Sequence, residues 1–132
     1  MRPKFSLSFE DARAVAVACL EAARQHEVEV SVAVVGDSGA LLCFFRMDGA
    51  RAYTVELASR KARTSASVGV PSGVIEAMSR ERPGQSRESS AGQGGVPVPY
   101  RGQCVGAVGV SGAKPEIDEM IAQAGIGGLT AA

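Results

Sequence analysis

Apolar residues recur with two different periods along this chain, and the alternation between them marks out its elements. Behind Ser8 and Asp11, a start resembling a capping box, Ala12, Val15, Ala16, Cys19, Leu20 and Ala23 fall on one helical stripe. That spacing predicts a helix over 8–26, closed by His26 and Glu27. Val30 to Val35 is short and rich in β-branched residues, which predicts a buried strand. Gly36-Asp37-Ser38-Gly39 is a turn signal, and Leu41 to Arg46 is the return strand of a hairpin. From Tyr53 to Val68 the pattern is helical again, with a narrow face of small residues at Ala58, Ala62 and Ser65 or Ala66. Gly69 and Pro71 end it, and a short helix is expected over 72–79. Val96 to Tyr100 and Gln103 to Ser111 predict a second hairpin around Arg101-Gly102. Lys114-Pro115-Glu116 opens a last helix with the stripe Ile117, Met120, Ile121 and Ala124, and 125–132 reads as a Gly/Ala tail.

Two hairpins separated and flanked by helices predict an α+β domain, an antiparallel sheet with helices layered on it. At 132 residues the chain is expected to form a single domain, 1–132, with a core that needs neither disulfide nor metal.

Two stretches depart from this regular pattern. Residues 80–93 are polar, rich in Gly, Ser and Arg, and without period, which is long for a plain connector. They lead into Gly94-Gly95-Val96-Pro97, and Gly106 and Gly109 then interrupt an otherwise apolar strand. Glycine weakens a strand interior, so its presence there predicts the close approach of another backbone, a side chain or a ligand.

Composition narrows the function. Hydrophobic residues make up 45% and mean hydropathy is +0.08, so the chain is globular. Acidic and basic side chains number 14 each, without the basic surplus that nucleic acid or an anionic membrane requires as partner. No apolar run is long enough to span a membrane, and the basic start is followed at once by Glu10, Asp11 and Arg13 rather than a signal-peptide core. These features predict a cytoplasmic chain. Three cysteines, Cys19, Cys43 and Cys104, form no CxxC pair and read as buried free thiols.

No nucleophile triad, phosphate loop or metal motif is present, and the lone His26 reads as a helix-end side chain. Candidate site residues therefore come from less specific signals. Lys61, a lysine among small residues on a helix, could be a base, a Schiff-base amine or an anion holder; equally, it could pair with Asp37, Asp48 or Asp118. Tyr100 is a candidate general acid or stacking platform, or simply a half-buried strand aromatic. Glu56 is an alternative acid on the same helix as Lys61. Gly94 and Gly95 could present backbone N–H groups to a carboxylate, or serve only as loop glycines. Arg80, Arg82, Arg87 and Arg101 could grip an anionic ligand, or lie solvated beside Glu81 and Glu88.

Four segments taken in order resemble one family. They are 32–39 with Arg46-Met47-Asp48-Gly49; Ala58-Ser59-Arg60-Lys61-Ala62-Arg63-Thr64-Ser65; Gly94-Gly95-Val96-Pro97; and Gly106-Ala107-Val108-Gly109-Val110-Ser111-Gly112 with Asp118 and 122–125. The chain resembles the GlcG/HbpS-like proteins, the family that also supplies the C-terminal domain of PduO-type proteins. The resemblance implies a profilin-like or PAS-like α/β/α arrangement around a central antiparallel sheet. It implies homo-oligomers with dimers as the building block. For some members it implies binding or breakdown of haem. Haem iron is held by His, Cys, Met or Tyr, and the expected pocket segment offers Met78 and Tyr100, with Cys104 just beyond. The Arg-rich stretch 80–93 suits a smaller carboxylated ligand. Two functions follow as expectations: binding of a small organic ligand, haem or another tetrapyrrole first; or cofactor-independent proton-transfer, lyase or isomerase chemistry on a small carboxylated or carbonyl substrate.

Overall fold

The first helix, α1 (Phe9–Gln25), starts where the spacing places it. Ser8 Oγ accepts from the Asp11 N–H at 3.1 Å and the Asp11 carboxylate accepts from the Ser8 N–H at 3.1 Å, a complete capping box. A computed structural model describes residues 1–80 and 92–130 of the chain. After α1 come β1 (Ser31–Gly36), β2 (Leu41–Arg46), α2 (Tyr53–Val68), α3 (Ser72–Arg80), β3 (Gly95–Tyr100), β4 (Gln103–Ser111) and α4 (Pro115–Thr130). The strands form one antiparallel sheet in the order β2-β1-β4-β3, so the two hairpins meet through β1 and β4.

Alternation along the central strands divides the core between two faces. Val32, Val34, Val96, Val108 and Val110 point to one face, where α1 and α4 cover them with Val15, Ala16, Cys19 and Ile121. Ala33, Val35 and Ala107 point to the other, where Ala58 and Ala62 of α2 lie on them. This is the expected α+β, three-layer α/β/α arrangement.

The glycines in strand-like sequence make room for the chain itself. Gly95 pairs with Gly109, and Gly109 with Ala33, so a row of very small residues crosses the sheet beneath α2. A Cβ on Gly109 would collide with Ala58 O and lie 2.6 Å from Ala62 N; one on Gly95 would collide with Lys61 O. The helix backbone thus rests directly on the strand backbone.

The C-terminal stretch is a correction to the expected tail, because α4 runs on to Thr130. Gly125 and Gly128 sit where α4 crosses α1: a Cβ on Gly125 would meet Cys19 Sγ, and one on Gly128 would lie 2.6 Å from Ala14 O. Helix-helix closeness outweighs the poor helix propensity of glycine here. Cys19 is fully buried in this contact, and burial pushes its thiol up to about 12, so it packs rather than reacts.

Candidate functional site

Lys61 occupies the buried face of α2, not the exposed one, because it follows Ala58 by three residues and precedes Ser65 by four. Its side chain runs past the end of the sheet and is only 3% exposed. The ammonium donates to Val110 O at 2.9 Å and to Asp118 Oδ2 at 3.2 Å. Asp118 lies in the first turn of α4, also 2% exposed, and its Oδ1 accepts from the Ala113 N–H at 2.9 Å. Of the three carboxylates open to Lys61 in the sequence, Asp118 is the partner, while Asp37 pairs with Lys4 at 2.5 Å. Burial pulls the Lys61 amine below its ordinary value of 10.5 and pushes the Asp118 carboxyl above 3.8; mutual attraction opposes both shifts without cancelling them.

Gly94 closes over this pair. Its φ is +134°, and a Cβ there would lie 2.6 Å from Val110 O and 2.8 Å from Lys61 Nζ. Only glycine accepts both the dihedral and the closeness. The Gly94 carbonyl accepts from the Val110 N–H at 3.0 Å. The Gly95 N–H is taken by Ser72 Oγ at 2.9 Å, and Ser72 in turn donates to Gly92 O at 2.5 Å. Of the two uses open to Gly95 in the sequence, presenting its amide to a ligand oxyanion is therefore not the one realised. Ser72→Ala strands a buried N–H and is expected to cost about 1–3 kcal/mol. Chemical denaturation would measure the loss, and hydrogen exchange would place it at Gly95.

Beyond 92–94 lies a groove between α3 and α4 of about 550 Å³, lined by Gly73, Val74, Glu76, Ala77, Arg80, Gln93, Pro115, Glu116 and Glu119. Arg80 Nη2 donates to Glu76 at 3.0 Å within α3, and Gln93 Nε2 donates to Glu119 at 3.2 Å, tying residue 93 to α4. On α3, Val74 and Met78 are exposed by 45% and 46% and share one face, a helical turn apart.

Tyr100 and Arg101 lie elsewhere. They belong to the far end of β3, roughly 16 Å along the strand from Gly95. Arg101 (φ +48°) and Gly102 (φ +77°) form the tight hairpin turn. The Arg101 guanidinium lies 5.6 Å from the Phe5 ring centre and 5.4 Å from that of Tyr100, and the two rings meet edge-on at 4.9 Å. The expected single site joining Lys61, Tyr100 and Arg101 is therefore split between the two ends of the sheet. Arg82 and Arg87 lie outside the described residues. Glu56 is engaged by Arg63 at 2.9 Å on the outer side of α2. His26 caps the end of α1 in solvent.

Comparison with known proteins agrees with this architecture. The family described as haem degrading protein HbpS-like matches residues 7–127. The chain belongs to the HbpS-like family. Protein GlcG of Escherichia coli K12 is 36% identical over 116 residues, covering 84% of this chain and 85% of GlcG. The crystal structure of HbpS is 34% identical with a TM-score of 0.87, covering 96% of this chain and 92% of HbpS. A PduOC:heme complex is 28% identical with a TM-score of 0.82, covering 94% and 95% of the two chains. The four ordered segments thus resemble the right family, and its fold is the one observed.

The α4 wall of the groove was not legible in the sequence. Pro115, Glu116 and Glu119 carried no signal beyond a helix start, and only the fold brings them opposite α3 across the groove. Among the described residues no helix is long and apolar enough to cross a membrane, and no group of His, Cys, Asp and Glu is arranged to hold a metal ion.

Proposed function

We propose that this HbpS-like protein binds a small carboxylated organic ligand, haem or a related tetrapyrrole first among them, in the groove between α3 and α4. The observation that carries the reading is α3 itself. It keeps the apolar Val74 and Met78 in solvent beside a groove of ligand size, with the cationic Arg80 on the same helix. The residues present fit haem. Val74, Ala77 and Pro115 would suit the ring faces, Met78, on α3 outside the groove lining, would offer a thioether to the iron, and Arg80 would suit a propionate in exchange for Glu76. Bound haem would supply redox and oxygen chemistry at its iron; the chain's part is to orient the ring and exclude water from one face. The PduOC:heme complex, which shares the fold, supports a tetrapyrrole as the first ligand to test.

The proton-transfer alternative rested on a free Lys61 near Tyr100. Lys61 is held by Asp118 and Val110, with Tyr100 at the other end of the sheet, so no observation favours that reading over binding.

Titrating haemin into the full chain tests the proposal. A saturable Soret band at one haem per chain is expected. Met78→Ala shifts that band, and Arg80→Ala weakens binding about tenfold, the loss of one charge-assisted hydrogen bond. A Soret absorbance that rises linearly without saturating overturns it.

A further inference from the structure

Gly106, the other glycine inside β4, makes room at the far end of the sheet from Lys61. A Cβ there would lie 2.7 Å from Leu7 Cδ1, so its absence seats Leu7 against the strand. Residues 4–8 cross this end of the sheet as a strap fixed at each step. Lys4 pairs with Asp37, the Phe5 N–H donates to Gln103 Oε1 at 3.3 Å, and Ser8 is held in the capping box. Beside the strap lies a cavity of about 300 Å³, whose lining includes Phe5, Leu7, Asp11, Tyr100, Val105 and Leu129.

The lining is mostly apolar, and two of its residues are rings. Phe5 and Tyr100 meet at 80°, so together they present a ring face and a ring edge to a guest. Neither ring is drawn into the core: Phe5 is 40% exposed and Tyr100 44%. The Arg101 guanidinium rests over both rings, and among the described residues no carboxylate pairs with it. Arg101 stands at φ +48°, in a turn position that Asn, Asp or Gly fills with less strain. A cation already on the rings repels a second one, so the cavity is no cage for an ammonium group; its unpaired charge calls for an anion. The Asp11 carboxylate, in the first turn of α1, has Ser8 N–H as one donor and can accept another.

We propose that this cavity is a second ligand site, for a single-ring aromatic carboxylate, with the ring against Phe5 and Tyr100 and the carboxylate on the Arg101 fork. Its volume is at the lower end of the range for ligand cavities, roughly 300–1,000 Å³, and suits one ring rather than a tetrapyrrole. Asp11 turns a carboxylate away from its own side of the cavity and favours a hydroxyl or amino substituent there. The groove between α3 and α4 is at the other end of the sheet, so the two sites are separate and take ligands of different size.

Titrating para-hydroxybenzoate into the full chain, followed by amide chemical shifts, tests the proposal. Saturable shifts are expected at Leu7, Tyr100, Gly102 and Val105. Arg101→Gln changes an exposed turn side chain and keeps the fold; it should weaken binding about tenfold, the loss of one charge-assisted pair. Benzylamine, with the same ring and the opposite charge, should not compete. Arg80→Ala, in the groove, should leave the affinity unchanged, so this site and haemin binding stand or fall separately. Shifts that grow linearly without saturating overturn the proposal. So do shifts that benzylamine reproduces, shifts of undiminished affinity in Arg101→Gln, and shifts at Gly73 and Gly92 instead.

Discussion

Asp118→Ala should lower the stability of this protein by about 3–5 kcal/mol, the cost of leaving one member of a buried ion pair without its partner. For a chain of this size, that is a fall in Tm of roughly 10–20 °C. The reason lies in where Lys61 is. Its ammonium sits behind Gly94, 3% exposed, with Val110 O as its other acceptor. The Glu76 carboxylate also attracts it, more weakly and without a hydrogen bond, and does not replace Asp118. Lys61→Ala has the mirror effect, leaving the Asp118 carboxylate with the Ala113 N–H as a neutral donor. Lys61→Met/Asp118→Leu should be far less harmful than the two losses added, because it removes the desolvation cost together with the attraction. A double-mutant cycle in denaturant checks this, and additive losses would sink the assignment of a buried pair.

The pair also sets a pH signature. Lys61 has a lowered value in the folded state, so the unfolded chain binds its proton more tightly. Its contribution to stability is present above the ordinary lysine value and lost as pH falls through the lowered one. Asp118 is raised, so its contribution is present below the ordinary carboxylate value and lost as pH rises through the raised one. In Asp118→Asn the main attraction that held Lys61 up is gone, leaving the weaker pull of Glu76, and its amine falls further. Stability of that variant should therefore rise with pH toward the ordinary lysine value of 10.5, more steeply than in the parent protein. Denaturation midpoints collected from neutral to alkaline pH show the slope directly.

Gly109→Ala is the second large effect, at about 3 kcal/mol or more. The added methyl meets backbone, Ala58 O and Ala62 N, and no side chain can rotate away. α2 must lift from the sheet, separating Ala58 and Ala62 from Ala33, Val35 and Ala107. Gly127→Ala is the control. A methyl there meets nothing within 4 Å, in a helix interior, and should stabilise by about 0.5–1 kcal/mol. Equal effects of the two substitutions on Tm would refute the close-contact account.

The elements themselves were legible because each rests on local chemistry. The capping box at Ser8 and Asp11, the β-branched run of β1 and the small-residue face of α2 depend only on neighbours in the chain. The glycines of β3 and β4 signalled a close approach, but sequence could not say to what; a helix backbone and a ligand demand the same missing Cβ. The candidate site was less legible. Lys61 stood out, yet three carboxylates were open to it, and geometry alone selected the one in the first turn of α4. Tyr100 and Arg101 looked close to Gly94 and Gly95 because six residues separate them at most, whereas an extended strand carries them to opposite ends of the sheet.

By itself the sequence determined the order of helices and hairpins, the family, and the face of each element that is apolar, since periodicity and turn chemistry act over a few residues. Only the tertiary structure decided which charges meet and which wall faces the groove on α3. Those depend on strand order and on how closely α2 settles over Gly95 and Gly109, and both are set by contacts between residues far apart in the chain.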